Sequence, residues 1–519
     1  MRTGTNNESP EVIVIGAGIG GLTTAALLAD AGHAVTVLEA GTYPGGSAGT
    51  FYYQGYRFAA GATLAGGFQP GGPHALLGQQ LDIDWPVHPT DPAWVVHLPD
   101  RQVMVAQDNQ DIMQQFPHTA RFWQQQARIA DLGWLLSAQG LPWPPRSAAE
   151  FAQLARVGWS NFPADLRLLP FAFSTVRQWL GRHGLTDDAV FTRFLDAQLL
   201  ISAQTTSAHA NAIYSATALD LARQGVYDVE GGIGGLARTL ANKIKALGGQ
   251  VLYKQRVTAI KVTDGRVVGV ETQHGRRGQD YFPADFVVAN LTPWSLDDLL
   301  VNASPARLRR EVQRRELGWG AFVLYLGVDN SKLPADLPDH HQIIAELHGP
   351  LGEGRSIFVS LSPEWDTSRA PDGHRAITIT THTAVQPWWD LVDHDKEAYA
   401  ARKAGYTERI LSAVERVIPG FRSSLSLVMD GTPVTYNTWT HRHLGMVGGF
   451  PQVSLFSARG PRTGLPNLRL VGDSIFPGQS TAGVTLGAMR VAEDVLRALP
   501  SRADRSVLRP QVSESWPAR

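Results

Sequence analysis

Apolar and polar residues near the start of the chain follow a pattern that predicts a strand, a helix and a second strand. Glu11 to Ile15 is a short apolar run typical of a buried strand, and Gly20 to Ala31 has apolar residues at helical spacing. Val35 to Glu39 is a second apolar run of strand length. Because parallel strands are joined by a crossover that is usually a helix, this order predicts a complete βαβ unit.

Two later segments repeat this alternation of helix and strand. From Gly231 the pattern predicts a helix over Gly235 to Leu247, a strand over Gln250 to Lys254, a hairpin over Ile260 to Thr272 that turns at Asp-Gly, and the strand ADFVVAN. Near the other end, LRLVGDSI and GVTLGAMRVAEDVLRAL predict a strand, a loop and a helix. These segments favour one α/β domain assembled from separated parts of the chain.

The residues between these segments predict a second, α+β domain. Long helical patterns from about Gln107 to Gln224 contain five tryptophans, namely Trp123, Trp134, Trp143, Trp159 and Trp179. From Thr292 to Pro461, strand patterns such as AFVLYLGV and RAITITTHT mix with a helix from Asp395 to Val417. We therefore predict that 1–106, 225–291 and 462–499 build one domain and that 107–224 and 292–461 build the other. Residues 1–10 and 500–519 lack an apolar period and are expected to be flexible tails.

Length, charge and cysteine content narrow the possible functions. A chain of 519 residues exceeds what a single core usually organises, which fits two domains. The 46 basic and 47 acidic residues nearly cancel, so no global field favours nucleic acid as a partner. The absence of cysteine excludes disulfides, thiolate metal sites and a catalytic thiol. Redox chemistry in this chain would therefore need a bound organic cofactor.

Gly16, Gly18 and Gly21 form a GxGxxG motif between the first predicted strand and the predicted helix. Glycine permits the tight turn, lets the backbone approach a pyrophosphate and lets the helix pack against the strand. The N-terminal end of the helix then faces the phosphates. Glu39, at the end of the second strand, can accept hydrogen bonds from a ribose. A plain strand-to-helix turn is the alternative, but the complete context favours dinucleotide binding.

Three more distant segments favour FAD over NAD as that dinucleotide. The PGGS loop in AGTYPGGSAGT has amides that can reach a phosphate or the flavin edge. A strand that ends near Val257 would lie beside the adenine. Asp473 ends a strand and can accept from a ribityl hydroxyl, while Gly483 and Val484 begin a helix whose amides can face the flavin pyrimidine. Each segment alone is also consistent with an ordinary connection.

These segments, in this order, resemble the phytoene desaturase-like branch of the FAD-dependent amine oxidase superfamily. The resemblance rests on VIVIGAGIGGLTTAALLADAGHAVTVLEAGTYPGGSAGTF, YRFAAGATLAGGFQPGG, the segment from Gly231 and GDSIFPGQSTAGVTLG. Two stretches, GATLAGGFQPGG and GTPVTYNTWTHRHLGMVGGFPQ, are most similar to carotenoid C-3′,4′ desaturases of the cyanobacterial type. The resemblance implies an α/β fold in which a Rossmann-like FAD-binding domain, of amine oxidase-like topology, carries an inserted α+β substrate domain.

The resemblance also implies the site and its chemistry. FAD would be held non-covalently and lined by Gly16, Gly18, Ile19, Gly21, Glu39, Ala40, Gly46, Ser47, Val257, Asp473, Gly483 and Val484. The reaction would be desaturation of an acyclic carotenoid by hydride transfer to the flavin, with oxygen or a quinone as the electron acceptor. A polyene delocalises the resulting cation, so a weak proton acceptor suffices. His441 and His443, which share a face if their segment is extended, are candidates for it. No metal site is expected.

Three other functions stay open at this point. A carotene cis–trans isomerase of the same fold would need reduced flavin without net oxidation. An amine oxidase typically holds a water on a lysine near the flavin, but only Lys332, Lys396 and Lys403 occur between Trp294 and Pro461. A non-catalytic carotenoid carrier would have no need of the flavin-facing GQSTAGV segment. Trp439, in place of a smaller aromatic residue, and the Ala-Ala pair before GATLAGG, in place of an acidic residue, depart from the family pattern and indicate a different substrate.

The location of the protein follows from its hydropathy and from that apolar substrate. The first residues, MRTGTNNESPE, lack the apolar stretch of a secretory signal, and no run of about 18 uncharged apolar residues occurs. Ser160 to Leu180 combines aromatic residues with arginines, as interfacial helices do, although ordinary helical core is the alternative for each residue. We therefore expect a cytoplasmic protein that is peripheral on the membrane.

Overall fold

The structure is a computed structural model that describes residues 11–499, except for 141, 146, 163, 276 and 277. The tails predicted at 1–10 and 500–519 lie outside the described residues. The strands in the described part are β1 (Glu11–Ile15), β2 (Ala34–Leu38), β3 (Thr50–Tyr53), β4 (Tyr56–Ala59), β5 (Ala65–Gly66), β6 (Val87–Thr90), β7 (Trp94–His97), β8 (Gln102–Val105), β9 (Val226–Val229), β10 (Gln250–Leu252), β11 (Arg256–Thr263), β12 (Arg266–His274), β13 (Gly278–Pro283), β14 (Phe286–Ala289), β15 (Trp319–Asp329), β16 (His340–Ile344), β17 (Ser356–Leu361), β18 (His374–Ala384), β19 (Leu425–Gly431) and β20 (Leu468–Leu470).

The α-helices alternate with these strands and are concentrated in the middle of the chain. In the described part they are α1 (Ile19–Asp30), α2 (Pro73–Leu81), α3 (Gln110–Gln115), α4 (Ala120–Ala138), α5 (Ala148–Ser160), α6 (Leu169–Ala172), α7 (Val176–Arg182), α8 (Ala189–Ala203), α9 (Ala212–Ala218), α10 (Leu221–Gln224), α11 (Gly234–Ala246), α12 (Pro293–Leu300), α13 (Ala306–Arg314), α14 (Gln386–His394), α15 (Lys396–Val417), α16 (Phe421–Ser424), α17 (Pro433–Thr440) and α18 (Thr481–Ala498). None of these helices is both long and apolar enough to cross a bilayer.

A five-stranded parallel sheet organises both ends of the chain. Its strand order is β10-β2-β1-β14-β20, and every neighbouring pair is parallel. Helix α1 packs against α11 and α18, and the apolar faces of these elements form one buried core. The prediction of an α/β, Rossmann-like fold is confirmed by this sheet and its helices.

A seven-stranded sheet with the order β19-β15-β18-β17-β16-β7-β8 forms a second layer. One of its faces packs on α15 through a core that includes Phe322, Ile379 and Trp388. Strand β7 pairs in parallel with β16 and antiparallel with β8. Because β7 and β8 precede residue 107, the first segment of the chain contributes to both sheets. The predicted domain boundaries stay a prediction.

The helices from α3 to α10 have an aromatic core of their own. Phe116, Phe122, Trp179, Phe191 and Phe194 are buried there, with ring centroids between 4.5 and 6.3 Å apart. Aromatic pairs at such distances add to the burial of their apolar area. The helical pattern predicted for this part of the chain is thus present in the structure.

Two local predictions are confirmed in detail. The hairpin of β11 and β12 turns at Asp264 and Gly265, whose φ angles are 50° and 73°, as a type I′ turn requires. Helix α15 begins directly after Asp395, because the side chain of that residue caps the helix by accepting the N–H of Ala398. In both places a local sequence signal marks the boundary that the structure has.

Two other predicted positions are wrong. The strand that was expected to end near Val257 ends at Leu252, and Val257 lies in the next strand, β11. The last helix was expected to begin at Gly483, but α18 begins at Thr481 because Ser480 is its N-cap. In the first case the apolar pattern continues across residues 253–255, a break that periodicity does not reveal. In the second case the cap at Ser480 places the start of the helix two residues before the expected position.

Candidate functional site

The glycine-rich turn between β1 and α1 forms one end of a large cavity. Gly16 has a φ of +90°, a left-handed conformation that glycine adopts without strain. A Cβ on Gly18 would lie 2.5 Å from Asn290 Nδ2, and one on Gly21 would lie 2.3 Å from the carbonyl oxygen of Gly16. Larger residues would therefore push α1 away from the sheet. The first N–H groups of α1 have no acceptor within the helix, so they are available to a ligand.

Glu39 follows β2 and holds its carboxylate in the cavity wall. Its Oε2 accepts the N–H of Ala17 at 2.7 Å, and its Oε1 accepts the N–H of Gly41 at 2.7 Å. Burial raises the pKa of Glu39, and these backbone hydrogen bonds oppose that rise. A carboxylate has about four acceptor sites, so sites remain on both oxygens for ribose hydroxyls.

The PGGS loop folds back over the glycine-rich turn. Gly45, with a φ of +120°, donates its N–H to the carbonyl oxygen of Ala17 at 2.8 Å and forms a bridge with Gly18. The carbonyl oxygen of Ser47 accepts the N–H of Ala62 at 3.1 Å. The loop therefore lies between the turn and the GATLAGG segment, and both line the cavity.

Asp473 closes the cavity from the side of β20. Its Oδ2 lies 2.9 Å from Nη2 of Arg442, which forms an ion pair with it. Arg442 also donates to the carbonyl oxygens of Met446 at 2.7 Å and Gly448 at 2.8 Å. One arginine thus ties the loop after α17 to the end of β20, which the sequence did not indicate.

The N-terminus of α18 lines the same cavity as Asp473. Ser480 accepts the N–H of Gly483 on its Oγ at 3.1 Å and the N–H of Val484 on its carbonyl oxygen at 2.9 Å. The two amides that were expected to face a flavin are therefore used inside the helix. The amides of Thr481 and Ala482 lack acceptors within the helix, and Oγ1 of Thr481 is buried with no hydrogen-bond partner in the described part of the chain.

One cavity of about 1490 Å³ joins all these groups. Of the residues predicted to line FAD, those in its wall are Gly16, Gly18, Ile19, Glu39, Ala40, Gly46, Ser47, Val257, Asp473, Gly483 and Val484. Gly21 lies behind the wall, where it sets the distance between α1 and the turn. The structure brings the predicted residues together, and their individual roles stay predictions.

The cavity continues between the seven-stranded sheet and the helical layer, where its wall is mainly apolar. The large side chains there are Trp94, Trp123, Trp134, Phe194, Ile201, Tyr214 and Phe358. Pockets for a single small ligand typically enclose about 300–1,000 Å³. The cavity exceeds that range, so its two halves have room for two ligands.

His441 and His443 line the cavity, but not on a common extended face. Helix α17 ends at Thr440, and His441 follows it with a left-handed φ of 53°. His443 begins a 3₁₀ turn and stacks on Trp294, with ring centroids 5.5 Å apart. The segment is therefore not extended, and the condition under which the two rings would share a face is not met. Burial lowers the pKa of both rings, which favours the neutral imidazole that can accept a proton.

The sequence reasoning missed two further residues in the wall. Asn290, just after β14, lies against the glycine-rich turn, and its Nδ2 donates to the carbonyl oxygen of Gly16 at 3.5 Å. Tyr436 is buried, and a Cβ on Gly61 would lie 2.5 Å from its hydroxyl. The available signal for Asn290 was a polar residue at the carboxyl end of a buried strand. For Tyr436 the only signal was its position in the stretch from Gly431 to Gln452, which resembles carotenoid desaturases.

Among the described residues we find neither a metal site nor a lysine in the cavity wall. In the described part of the chain, no group of three or more His, Asp or Glu side chains could hold a metal ion. His382 lies in the cavity wall, and burial lowers its pKa to about 4, so its ring is neutral at pH 7. No lysine of the described residues lines the cavity.

We call the half of the cavity that lies at the glycine-rich turn, Glu39 and the start of α18 the polar half. Its groups fit a flavin dinucleotide. The free amides at the N-termini of α1 and α18 suit anionic or carbonyl oxygens. The Glu39 carboxylate, which accepts only backbone N–H groups in the described part of the chain, suits hydroxyl donors. The glycines at the turn leave space that side chains would fill. These residues would hold the pyrophosphate, the ribose and the ring.

Comparisons with known proteins agree with this chemistry. Residues 19–496 match the family described as flavin containing amine oxidoreductase. The chain is 30% identical to prolycopene isomerase 2 of an Oncidium hybrid cultivar, over 94% of this chain and 84% of that protein. It is 26% identical to a lycopene-forming phytoene desaturase of a Paracoccus strain, over 96% of this chain and 100% of that protein. An oxidoreductase structure from Methanosarcina mazei has a TM-score of 0.64 at 19% identity, covering 93% of this chain and 100% of that one, which shows the fold.

Proposed function

Because the chain belongs to the flavin-containing amine oxidoreductase family, in its phytoene desaturase-like branch, we propose that it is a carotenoid desaturase with non-covalently bound FAD. The proposed substrate is an acyclic carotenoid, and the C-3′,4′ single bond becomes a double bond. The likeness of Gly61 to Gly72 and of Gly431 to Gln452 to desaturases of that type supports the choice of bond.

The continuity of the cavity is the observation that carries the proposal. Its polar half offers the groups that a dinucleotide needs, and its other half is walled by apolar and aromatic side chains. A long hydrocarbon gains its binding free energy from such a wall, at about 25 cal/mol per Å² of apolar area removed from water. Since both halves belong to one cavity, a polyene and a flavin could meet without a passage through water.

The residues of the polar half have separate tasks in this proposal. Glu39 would accept the ribose hydroxyls, and the first amides of α1 would bind the pyrophosphate. The amides of Thr481 and Ala482, at the positive end of α18, would stabilise negative charge on a reduced ring. A bound flavin supplies a two-electron acceptor for a hydride from the substrate.

The apolar half would orient the polyene and exclude water from it. Loss of a hydride leaves an allylic cation that the polyene delocalises, so the loss of one proton to a weak acceptor completes the double bond. Neutral His441 or His443 could accept that proton. Oxygen or a quinone would then take the electrons from the cofactor.

A carotene cis–trans isomerase is the second candidate. The relatives at 30% identity are named prolycopene isomerases, which favours this activity. The same cavity would serve, with reduced flavin and no net oxidation of the substrate. An FAD-dependent amine oxidase is less favoured, because no lysine of the described residues lines the cavity.

We also propose that the protein is cytoplasmic and works on the surface of a membrane, where carotenoids dissolve. Trp159, Phe162 and Phe173 are 85%, 62% and 76% exposed, and they lie in or beside the stretch that resembles an interfacial helix. Aromatic side chains are favoured at the level of lipid headgroups. The exposed aromatic surface would then be the place where the protein takes up its substrate.

The test is an anaerobic incubation of the purified, FAD-loaded protein with acyclic carotenoids in liposomes. The flavin spectrum and the mass of the product are followed together. Bleaching of the flavin with a product that has lost two hydrogens would support the desaturase. An isomerised product of unchanged mass, formed only with pre-reduced flavin, would favour the isomerase instead.

A variant without cofactor provides the control for this incubation. Gly16→Val removes the conformational freedom of the glycine-rich turn, so the protein should purify without FAD and convert no carotenoid. Conversion by that variant would mean that the reaction does not pass through the nucleotide site. No bleaching and no product with any carotenoid would contradict both candidate functions.

A further inference from the structure

Helix α13 presents a row of arginines to solvent. Arg307, Arg310 and Arg314 are exposed and follow one another at the spacing that places side chains on one face of a helix. We call these three residues the arginine face. The proposed catalytic site makes no use of it, because none of the three lines the cavity.

The other side of α13 attaches the helix to the rest of the protein. Leu308 is buried in the core of the parallel sheet, and Val312 packs against the same core. Glu311 forms ion pairs with Arg315 at 2.7 Å and with Arg459 at 3.1 Å. The one acidic side chain of the helix is therefore engaged on this attached side, and packing directs the arginine face outward.

The arginine face has no counter-ion in the part of the chain that the structure describes. None of its three side chains forms an ion pair with a described residue. Arg310 donates from Nε to the carbonyl oxygen of Ala306 at 3.2 Å, which leaves its terminal N–H groups free. Glu316 follows the helix and is exposed, but one negative charge does not balance three positive ones. Since the whole chain has a net charge of -1, this excess of positive charge is local.

Exposed apolar side chains lie before and after the arginine face. Val301 precedes α13 and is 61% exposed, and Leu317 follows it and is 43% exposed. Arginines combined with exposed apolar residues are typical of helices at a membrane surface, where the charged groups stay at the level of the headgroups. This combination favours a lipid surface over nucleic acid, whose backbone offers phosphates without an adjoining apolar layer.

Residues 450–462 connect α13 with the exposed aromatic surface. At one end of this segment, the guanidinium carbon of Arg315 lies 3.6 Å from the ring centroid of Phe450. Further along, Phe456 stacks on Phe173 with ring centroids 4.9 Å apart. The helix that carries the arginine face and the exposed aromatic surface therefore border the same segment.

A second contact of this segment leads to the helix that carries Trp159. Nη2 of Arg462 lies 3.2 Å from Oε1 of Glu150, in the first turn of α5. Trp159 lies in the last turn of α5 and is 85% exposed. Positive charge and exposed aromatic area thus come from elements that are distant in the sequence but joined by one segment.

We propose that the arginine face binds the headgroups of anionic phospholipids when the protein docks on a membrane. A guanidinium group can donate two parallel hydrogen bonds to a phosphate. Each arginine near an anionic membrane strengthens binding about fivefold. The exposed aromatic surface would supply affinity for any bilayer, and the arginine face would select an anionic one. The inference rests on the proposed docking at a membrane and adds the charge of the lipid that is recognised.

The test is flotation of the FAD-loaded protein with two kinds of liposome, one of phosphatidylcholine and one in which phosphatidylglycerol replaces part of it. The wild type should bind the anionic liposomes about a hundredfold more tightly, since three arginines contribute. This preference should disappear at about 1 M salt, which screens charges beyond about 3 Å. Equal affinity for both liposomes at low salt would overturn the inference and leave the proposed docking intact. No binding to either would overturn both.

Replacement of the arginine face tests its place in the structure. The triple variant Arg307→Gln, Arg310→Gln, Arg314→Gln should lose the preference for anionic liposomes and keep its affinity for phosphatidylcholine. The corresponding triple lysine variant keeps the charge and should keep most of the preference. Each single glutamine variant should lose about fivefold, so the test holds even if the triple variant does not fold.

A second triple variant, Lys245→Gln, Lys396→Gln, Arg416→Gln, is the matched control. These three side chains are exposed on α11 and α15, and their replacement removes as much positive charge as replacement of the arginine face. The control should bind anionic liposomes as the wild type does. Equal losses in the two triple glutamine variants would overturn the inference, because net charge alone would then explain the binding.

Two further measurements separate the inference from other partners and from the proposed catalysis. Binding of a short DNA duplex that the triple glutamine variant loses, without a preference for anionic liposomes, would overturn the lipid partner and assign the arginine face to nucleic acid. The triple glutamine variant should convert carotenoid slowly from anionic liposomes and normally from detergent micelles. Failure of the wild type to convert any carotenoid, with the lipid preference as expected, would overturn the proposed catalysis and leave the arginine face standing.

Discussion

Glu39 has each carboxylate oxygen on a backbone amide and still presents acceptor sites to the cavity. Glu39→Ala removes a charged acceptor, and each hydrogen bond to a charged group is worth about 1.5–3 kcal/mol. The Kd for FAD should therefore rise about tenfold to a hundredfold, measured by titration of the apo-protein with FAD. Glu39→Gln keeps the shape and one acceptor, so its Kd should fall between. Unchanged FAD affinity in Glu39→Ala would contradict the ribose role.

A substitution at Gly16 tests whether the same site depends on the backbone conformation of the glycine-rich turn. Valine at a φ of +90° is strained, and its Cβ would lie 3.2 Å from the carbonyl oxygen of Asn290. Gly16→Val should abolish the retention of FAD, measured as the flavin absorbance per protein after purification. Gly248, with a φ of +85° and no heavy atom within 4 Å of the place where a Cβ would lie, is the matched control. Gly248→Val carries similar strain away from the site and should keep its flavin.

At the scale of helices and strands, the sequence predicted the boundaries that are marked by a local sequence signal. The turn at Asp264 and Gly265 needs positive φ angles, and Asp395 caps its helix, so both boundaries could be read from the chain. Apolar periodicity did not reveal that the strand before Val257 stops, because apolar residues continue across the gap between β10 and β11. The start of α18 at Thr481 had a local signal in its cap Ser480, which apolar spacing does not register.

The residues of the candidate site also fall into those that the sequence predicted and those that it could not predict. The glycines of the GxGxxG motif and Glu39 could be predicted, because their spacing follows from the geometry of one turn and one ligand. The roles of Asn290 and Arg442 could not, because each acts on a partner far away in the sequence, namely Gly16 and Asp473.

Helix α18 offers a prediction at this scale. Ser480 caps the helix in the cavity wall, and the loss of such a cap costs about 0.5–2 kcal/mol. Ser480→Ala should lower the free energy of unfolding of the apo-protein in urea by that amount and also weaken FAD binding, since the first turn would fray. Thr175→Ala removes the cap of α7, none of whose residues lines the cavity, and should lower stability without affecting FAD. Equal FAD affinity in both variants would argue against a role of the α18 terminus.

The described part of the molecule joins its two largest sheets and a helical layer around one cavity. The parallel sheet presents the glycine-rich turn and the end of β20, while β15, β17 and β18 of the second sheet supply another wall with the helices. A short pattern in the sequence could predict the first wall but not the enclosure, because the enclosing residues come from every part of the chain. The cavity is therefore a property of the assembled fold, and its size supports the proposal that a nucleotide and a polyene bind side by side.

The last prediction concerns the exposed aromatic surface formed by Trp159, Phe162 and Phe173. Phe173 stacks on Phe456 with centroids 4.9 Å apart, Trp159 stacks on Phe162 at 6.4 Å, and all four side chains are exposed to solvent. Each such side chain gains about 1.5–3 kcal/mol when it leaves water. The double variant Trp159→Ser with Phe173→Ser should therefore bind liposomes at least about a hundredfold more weakly in a flotation assay.

Trp365 provides the control for this surface, since it is 47% exposed but belongs to the turn after β17. Trp365→Ser should bind liposomes as the wild type does. If the aromatic surface takes up the substrate, the double variant should convert carotenoid slowly from liposomes and normally from detergent micelles, because only the first route needs docking. Slow conversion from both sources would instead indicate damage to the cavity, and equal liposome binding by both variants would mean that the membrane contacts another face.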